Sequence, residues 1–285
     1  TLTHLLDSGA EVLFPILHGS WGEDGCFQGL AEMLDLPYVG ADVPASAVSM
    51  DKVLCKTVLA AAGVPVVEFA AFDGRRFATD PAGCLAECDP LPLPLFVKPA
   101  TGGSSVGVRK VKRREDLEEA VRFALGFSDR VLVERGVNGR ELECAVLGHD
   151  DLEASEIGEI VAGGEFYDYA DKYLDDRAQL IAPAALDPDI AAQLKDLAIR
   201  AYAAVGGSGL ARVDFLLEAG TRPHVNEINT LPGFTAISMY PRLWELSGLP
   251  RPRLVDRLVR LAQQRHAHRR RLDAGIHEFL ASLGG

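Results

Sequence analysis

The sequence predicts a soluble protein of mixed α/β and α+β class, folded in more than one lobe. Strand-like and helix-like patterns alternate from Val12 onward, the signature of an open sheet with crossing helices. The C-terminal half adds consecutive β segments that read as an antiparallel hairpin. At 285 residues, 48% of them hydrophobic and 25% charged, the chain is long enough for its core to divide into two or three.

Val12 to Leu17 reads as the first strand, followed by a Gly-rich turn and an amphipathic stretch from Gln28 to Leu34. A second helix is expected from Asp51 to Ala62, with Ser49 as its cap and Gly63 before Pro65 as its stop. The Pro- and Gly-containing region 73–94 reads as loop-rich. Two strands, Leu95 to Pro99 and Val106 to Val111, flank a glycine loop, and a helix from Glu115 to Leu125 follows. Further strands are expected at Val131 to Glu134, Glu141 to Leu147, Ala211 to Glu218 and Pro223 to Asn229. The helix between them, Asp187 to Val205, has Asp187 at the cap, Pro188 in the first turn and Gly206 at the end. Composition supports three units: a partial βα lobe over 1–41, a small loop-bearing lobe over 42–133 and a larger lobe over 134–285.

A net charge of −12 argues against general nucleic-acid binding, which needs a basic surface. The basic run Arg265-His266-Ala267-His268-Arg269-Arg270-Arg271 is read as the solvated end of a helix. Five cysteines scattered among apolar neighbours point to reduced, buried thiols. No run approaches the ~18 apolar residues that span a bilayer, and the first twenty residues lack the pattern of a secretory signal. No membrane partner and a cytoplasmic location are therefore expected. The chain begins with Thr1, so it is read as opening partway through a larger protein.

The most informative segment pairs Ala211 to Leu216 with Val225 to Asn229. If the hairpin closes on Gly220 and Thr221, Asp214 stands opposite Glu227 and Arg212 opposite Asn229, all on one face. Two carboxylates so placed repel unless a cation lies between them, and Asp, Glu and Asn oxygens suit Mg²⁺ completed by phosphate. The bland reading is a solvated hairpin face. Lys98 to Gly107 places small residues and two hydroxyls after a strand, which fits either a phosphate-wrapping loop or a surface turn. It is not a Walker loop, and Gly207-Ser208-Gly209 is no dinucleotide fingerprint. Gly103-Ser104-Ser105-Val106-Gly107 formally matches a nucleophile elbow, leaving a serine hydrolase using Ser105 as an alternative, although strand rather than helix should follow. Lys52 and Lys56, four residues apart, read as a solvated helix face. His18 ends a strand where α/β sheets place ligands, and a structural histidine fits as well.

Five ordered blocks resemble the D-alanine:D-alanine ligase family, from about residue 10 to about residue 262. They are Phe14 to Gly19 with Gly22-Glu23-Asp24-Gly25, Ser49-Met50-Asp51-Lys52, Phe96 to Gly107, Phe166 to Tyr173, and Arg212 to Gly233. The resemblance implies an ATP-grasp fold with a partial Rossmann-like N-terminal lobe, and an enzyme that joins two D-alanines with ATP. A D-alanine:D-lactate or other carboxylate-amine ligase is the nearest alternative.

By the same resemblance Lys52, Lys98 and Lys172 hold phosphates. Glu134, Glu141, Val137, Phe166 and Leu216 surround the nucleotide, with Ser104 in the closing loop. Asp214, Glu227 and Asn229 coordinate two Mg²⁺, for which Mn²⁺ can substitute. Arg212 and the N–H of Gly233 stabilise an oxyanion, Ser238 and Met239 meet the second substrate, and His18 belongs to the substrate lobe. Tyr173 accompanies dipeptide rather than D-lactate products. The partners implied are D-alanine, ATP and a second copy in a homodimer. The family's opening strand and Gly-rich loop have no counterpart before Thr1, so the first substrate is expected to be poorly positioned.

Overall fold

Residues 209–218 alternate apolar and polar side chains, and the backbone follows that alternation. In the computed structural model, which describes residues 9–161, 179–235 and 237–283, they form strand β8 (Gly209–Glu218). This strand sits inside a five-stranded antiparallel sheet ordered β7-β6-β5-β8-β9, built with β5 (Gly139–Gly148), β6 (Glu153–Val161), β7 (Gln179–Ile181) and β9 (Arg222–Asn229). Val213, Phe215 and Leu217 point to one face with Leu142, Cys144 and Val225, and there the long helix Pro188–Ala204 buries Leu194, Leu197, Ala201 and Tyr202. Asp187 caps that helix through Asp189 N at 2.9 Å and Pro188 opens it, as expected.

The opposite face is divided. At one end Ala145, Leu147 and Leu210 are covered by Met239–Leu246 and the first turns of Arg251–Leu283. At the other, Glu141, Glu143, Arg212, Asp214 and Leu216 face a cleft.

A smaller antiparallel sheet, β1-β4-β2-β3, forms the cleft's other wall: β1 (Phe69–Asp73), β2 (Leu95–Pro99), β3 (Arg109–Val111) and β4 (Arg130–Arg135). Its core joins Phe72, Leu95, Val97, Val131 and Val133 to Leu117, Val121 and Ala124 of a helix. The boundary expected after residue 133 falls inside β4, and Cys55, Leu59 and Val64 pack in the core of the larger sheet.

Several sequence expectations are corrected. The strand at Val12 to Leu17 is a single parallel bridge, Leu13 to Tyr38, and Pro15 lacks the N–H that would extend it. The cap of the second helix, Lys52–Ala61, is Asp51, which accepts from Val53 N and Leu54 N at 3.0 Å. Region 73–94 is not all loop: Asp73 and Asp80 cap two short helices, Gly74–Thr79 and Pro81–Ala86, so the apparent breakers are N-terminal signals. Cys26 is exposed, while the other four thiols are buried.

The basic run is not a solvated helix end. The helix Arg251–Leu283 continues past it, and Arg265 turns inward to donate to Tyr38 O at 2.9 Å, Ser208 Oγ at 3.1 Å and Gly40 O. Arg269 pairs with Glu32 at 2.6 Å and His266 meets Asp35 Oδ1 at 2.8 Å.

Candidate active site

A cleft of about 690 Å³ opens between the two sheets. It brings together Lys52, Lys98, Ser104, Glu134, Val137, Glu141, Arg212, Asp214, Leu216 and Glu227 from distant parts of the chain. Among the described residues no helix is long and apolar enough to cross a membrane.

The lysines are positioned by buried partners. Glu134 of β4 holds Lys56 Nζ at 2.6 Å and also pairs with Lys98 of β2. Burial alone would push the Glu134 carboxyl up, but the two ammoniums overcome it and hold it down at about 2. Lys56, expected on a solvated face, is thus fully buried. Burial pushes the Lys52 ammonium below the usual lysine range against the pull of Glu227, whereas Glu134 holds Lys98 above it. Lys52 Nζ donates to Gly102 O at 2.7 Å, tying the helix start to the glycine loop. In that loop Ser104 and Ser105 adopt φ of 52° and 57°, and β3 follows instead of a helix, so the nucleophile-elbow reading is set aside.

The β8–β9 hairpin places Arg212 opposite Asn229 and Asp214 opposite Glu227, as the sequence suggested. It does so by another route. The turn is a three-residue loop, Ala219 to Thr221, and a bulge after Asp214 leaves Asn226 as an extra residue on β9. The bulge cancels the one-residue offset of the longer turn and returns Glu227 to its place beside Asp214. Arg212 donates to both Asp214 oxygens at 2.7 Å, Glu143 Oε1 lies 3.1 Å from its Nε, and Asn229 Nδ2 donates to Asp214 Oδ2 at 2.9 Å. Burial would lower the Arg212 guanidinium, yet Asp214 and Glu143 raise it well above its usual value. The negative charge of Glu227 is felt at Glu23, Lys52, Lys98 and Arg212, so it stands where the two cleft lysines and the N-terminal segment converge.

Among the described residues no three His, Cys, Asp or Glu side chains are grouped tightly enough to hold a metal alone. Two opposed carboxylates, an amide and incoming phosphate oxygens nevertheless suit a hard divalent cation.

The residues expected to meet the substrate, His18, Gly233, Ser238 and Met239, lie beyond the cleft lining. A Cβ on Gly233 would lie 2.8 Å from Ser238 Oγ, so the expected oxyanion N–H and carboxylate-binding hydroxyl adjoin. That hydroxyl already accepts from Thr235 N at 2.9 Å. Met239 is buried in the core beside Leu243 and Trp244, which leaves its backbone rather than its side chain for a substrate. His18 is exposed, next to Glu23, whose carboxylate accepts from Gly19 N at 2.5 Å. Burial is the main cause raising the Glu23 carboxyl. Phe166, Lys172 and Tyr173 lie outside the described residues. Sequence reasoning gave Lys56 and Glu143 no place near the site and quoted Glu23 only as part of a motif. Glu143 was legible in principle, since strand alternation puts it on the same face as Glu141.

Two antiparallel sheets closing on a cleft of lysines and carboxylates define an ATP-grasp enzyme. Family models described as the D-ala D-ala ligase N-terminus and C-terminus match residues 3–41 and 58–260. A D-alanine–D-alanine ligase of Acetivibrio thermocellus is 46% identical over 258 residues, 90% of this chain and 69% of that protein. The solved D-alanine–D-alanine ligase of Coxiella burnetii superposes with a TM-score of 0.83 at 42% identity, covering 96% of this chain and 73% of the other. VanG D-Ala:D-Ser ligase of Enterococcus faecalis gives 0.81 at 35% identity over 89% and 73%. The chain belongs to the D-alanine–D-alanine ligase family.

Proposed function

We infer that this protein joins two D-alanine molecules into D-alanyl-D-alanine with ATP as the energy source, supplying a precursor of peptidoglycan. The observation that carries the reading is the meeting, in one cleft, of Lys52 and Lys98 with the Arg212, Asp214 and Glu227 cluster.

A carboxylate is a poor acylating agent and must first be phosphorylated. Lys52 and Lys98, which line the cleft, would neutralise the transferring phosphoryl group, and Val137 and Leu216 would border the nucleotide base and sugar. Two Mg²⁺, or Mn²⁺, held by Asp214, Glu227 and Asn229 would supply further charge neutralisation. When the second D-alanine amine attacks the acylphosphate and expels phosphate, Arg212 and the N–H of Gly233 would stabilise the oxyanion formed on the way, and Ser238 would hold the acceptor carboxylate. A homodimer, as the resemblance implies, would show as a doubled mass in light scattering.

The test offers ATP with D-alanine, L-alanine, D-serine and D-lactate in turn and follows phosphate release and product mass. D-alanyl-D-alanine is the expected main product, with metal chelation abolishing turnover. Asp214→Asn and Glu227→Gln should each lower turnover by about a hundredfold or more while keeping the fold, since each removes a hard ligand. A main product built on L-alanine, D-serine or D-lactate, or near-normal metal-dependent turnover in both variants, would overturn the reading.

A further inference from the structure

We propose that Glu143 is a positioning residue whose carboxylate keeps Arg212 paired while Asp214 serves the metal. The proposal rests on the reading of Asp214 and Glu227 as metal ligands. Strand register puts Glu143, Asp214 and Glu227 in one row across β5, β8 and β9, all facing the cleft. Directly opposed side chains on neighbouring strands sit close enough to repel when alike in charge. Three carboxylates in a row therefore need cations in both gaps. Arg212 fills the first, 3.1 Å from Glu143 and 2.7 Å from Asp214, and the gap between Asp214 and Glu227 is the metal's.

Asp214 is asked to do two things at once. Both its oxygens accept from Arg212, and one also accepts from Asn229. A carboxylate offers about four lone-pair directions, and a divalent cation on these oxygens withdraws the charge that balances the guanidinium. A guanidinium keeps its charge in proteins, and Arg212 is wedged between the two carboxylates, so without a second carboxylate it would compete with the metal for Asp214. Glu143, itself buried, is that second carboxylate. It touches no reacting atom in this scheme and acts through Arg212 and Asp214.

The test measures Mn²⁺ binding in the presence of ADP by electron paramagnetic resonance, without turnover, alongside kcat and KM. Glu143→Gln should weaken Mn²⁺ binding about tenfold and lower kcat more than the KM for ATP, with the metal-free melting temperature nearly unchanged. Glu143→Asp, which keeps the charge, should bind Mn²⁺ within about threefold of the wild type. In an Arg212→Met background Glu143→Gln should no longer weaken Mn²⁺ binding, because the competition is gone. Unchanged Mn²⁺ affinity in Glu143→Gln, an equal loss in Glu143→Asp, or an undiminished effect in the Arg212→Met background overturns the proposal. A Glu143→Gln chain that does not fold, with Glu143→Asp as weak in Mn²⁺ as Asp214→Asn, also overturns it, by making Glu143 a packing residue. Failure of the wild-type protein to bind Mn²⁺ with ADP would instead sink the metal-site reading itself.

Discussion

Glu134 supports two lysines from a nearly fully buried position, and one of them, Lys98, faces the cleft. Removing one partner of a buried ion pair leaves the other under-compensated. Lys56→Met would leave Glu134 with Lys98 as its partner and one oxygen short of an ammonium, so it should destabilise the protein by about 1–3 kcal/mol in urea unfolding at pH 7, and a loss below about 0.5 kcal/mol, the range of ordinary surface changes, would refute the pairing. The pH sign follows from the depressed carboxyl. Held at about 2 in the folded protein against 4.5 unfolded, Glu134 contributes stability that is full above about pH 4.5 and disappears as pH falls toward 2. An acid titration of stability in wild type and Lys56→Met should converge across that window. None of this was legible in Lys52 and Lys56 alone, since two lysines one helical turn apart usually share a solvated face. The partner that buries Lys56 comes from a strand remote in sequence.

Local pattern was most informative where one element carried its own signals. The Pro188–Ala204 helix declared its cap, its first proline and its stopping glycine, and β8 declared its inward and outward faces. The Asp214 and Glu227 pairing was also readable, although the turn and bulge that produce it were not, because their two offsets cancel. The helix Arg251–Leu283 shows the limit. Leu254, Leu258 and Ala262 bury its first turns, but the arginines beyond find partners in the N-terminal segment, which no periodicity reveals. Arg265 fastens that segment by donating to Tyr38 O, Gly40 O and Ser208 Oγ and by stacking 4.3 Å over the Tyr38 ring. Arg265→Ala should raise amide hydrogen exchange over residues 10–41 by about tenfold or more, since charge-assisted bonds contribute about 1.5–3 kcal/mol. Nucleotide affinity should stay near normal, and unchanged exchange in that segment would show that the clamp is not what orders it.

Across the whole molecule the cleft depends on how the two sheets are joined. Arg135, at the end of β4 in the smaller sheet, donates to both oxygens of Glu218, at the end of β8 in the larger one, at 2.8 and 3.0 Å. Its Nε reaches Glu68 at 2.5 Å, in the connection that leaves the larger sheet at the Val66 to Val225 bridge and leads to β1. Three segments are thus tied at one corner of the nucleotide cleft, and both Arg135 and the cleft's Val137 belong to the same crossing strand and loop. The hydrogen bonds from Arg135 hold the Glu218 carboxyl down at about 2. Bidentate pairing with little exposure of either partner makes this contact stronger than an ordinary surface pair, about 1 kcal/mol. Because the contact ties one wall of the cleft to the other, its loss is expected to loosen the cleft and to appear in nucleotide binding before it appears in stability. Glu218→Gln should weaken ATP binding about fivefold by calorimetry at neutral pH, the equivalent of that energy, while the melting temperature moves little. The carboxyl is depressed, so the contact is intact above about pH 4.5 and lost as pH falls toward 2. The difference between variant and wild type should therefore be the same from pH 6 to pH 8. ATP affinity equal to the wild type at neutral pH would mean that packing alone, through Cys55, Leu59 and Val64 on the larger sheet's core, fixes the cleft.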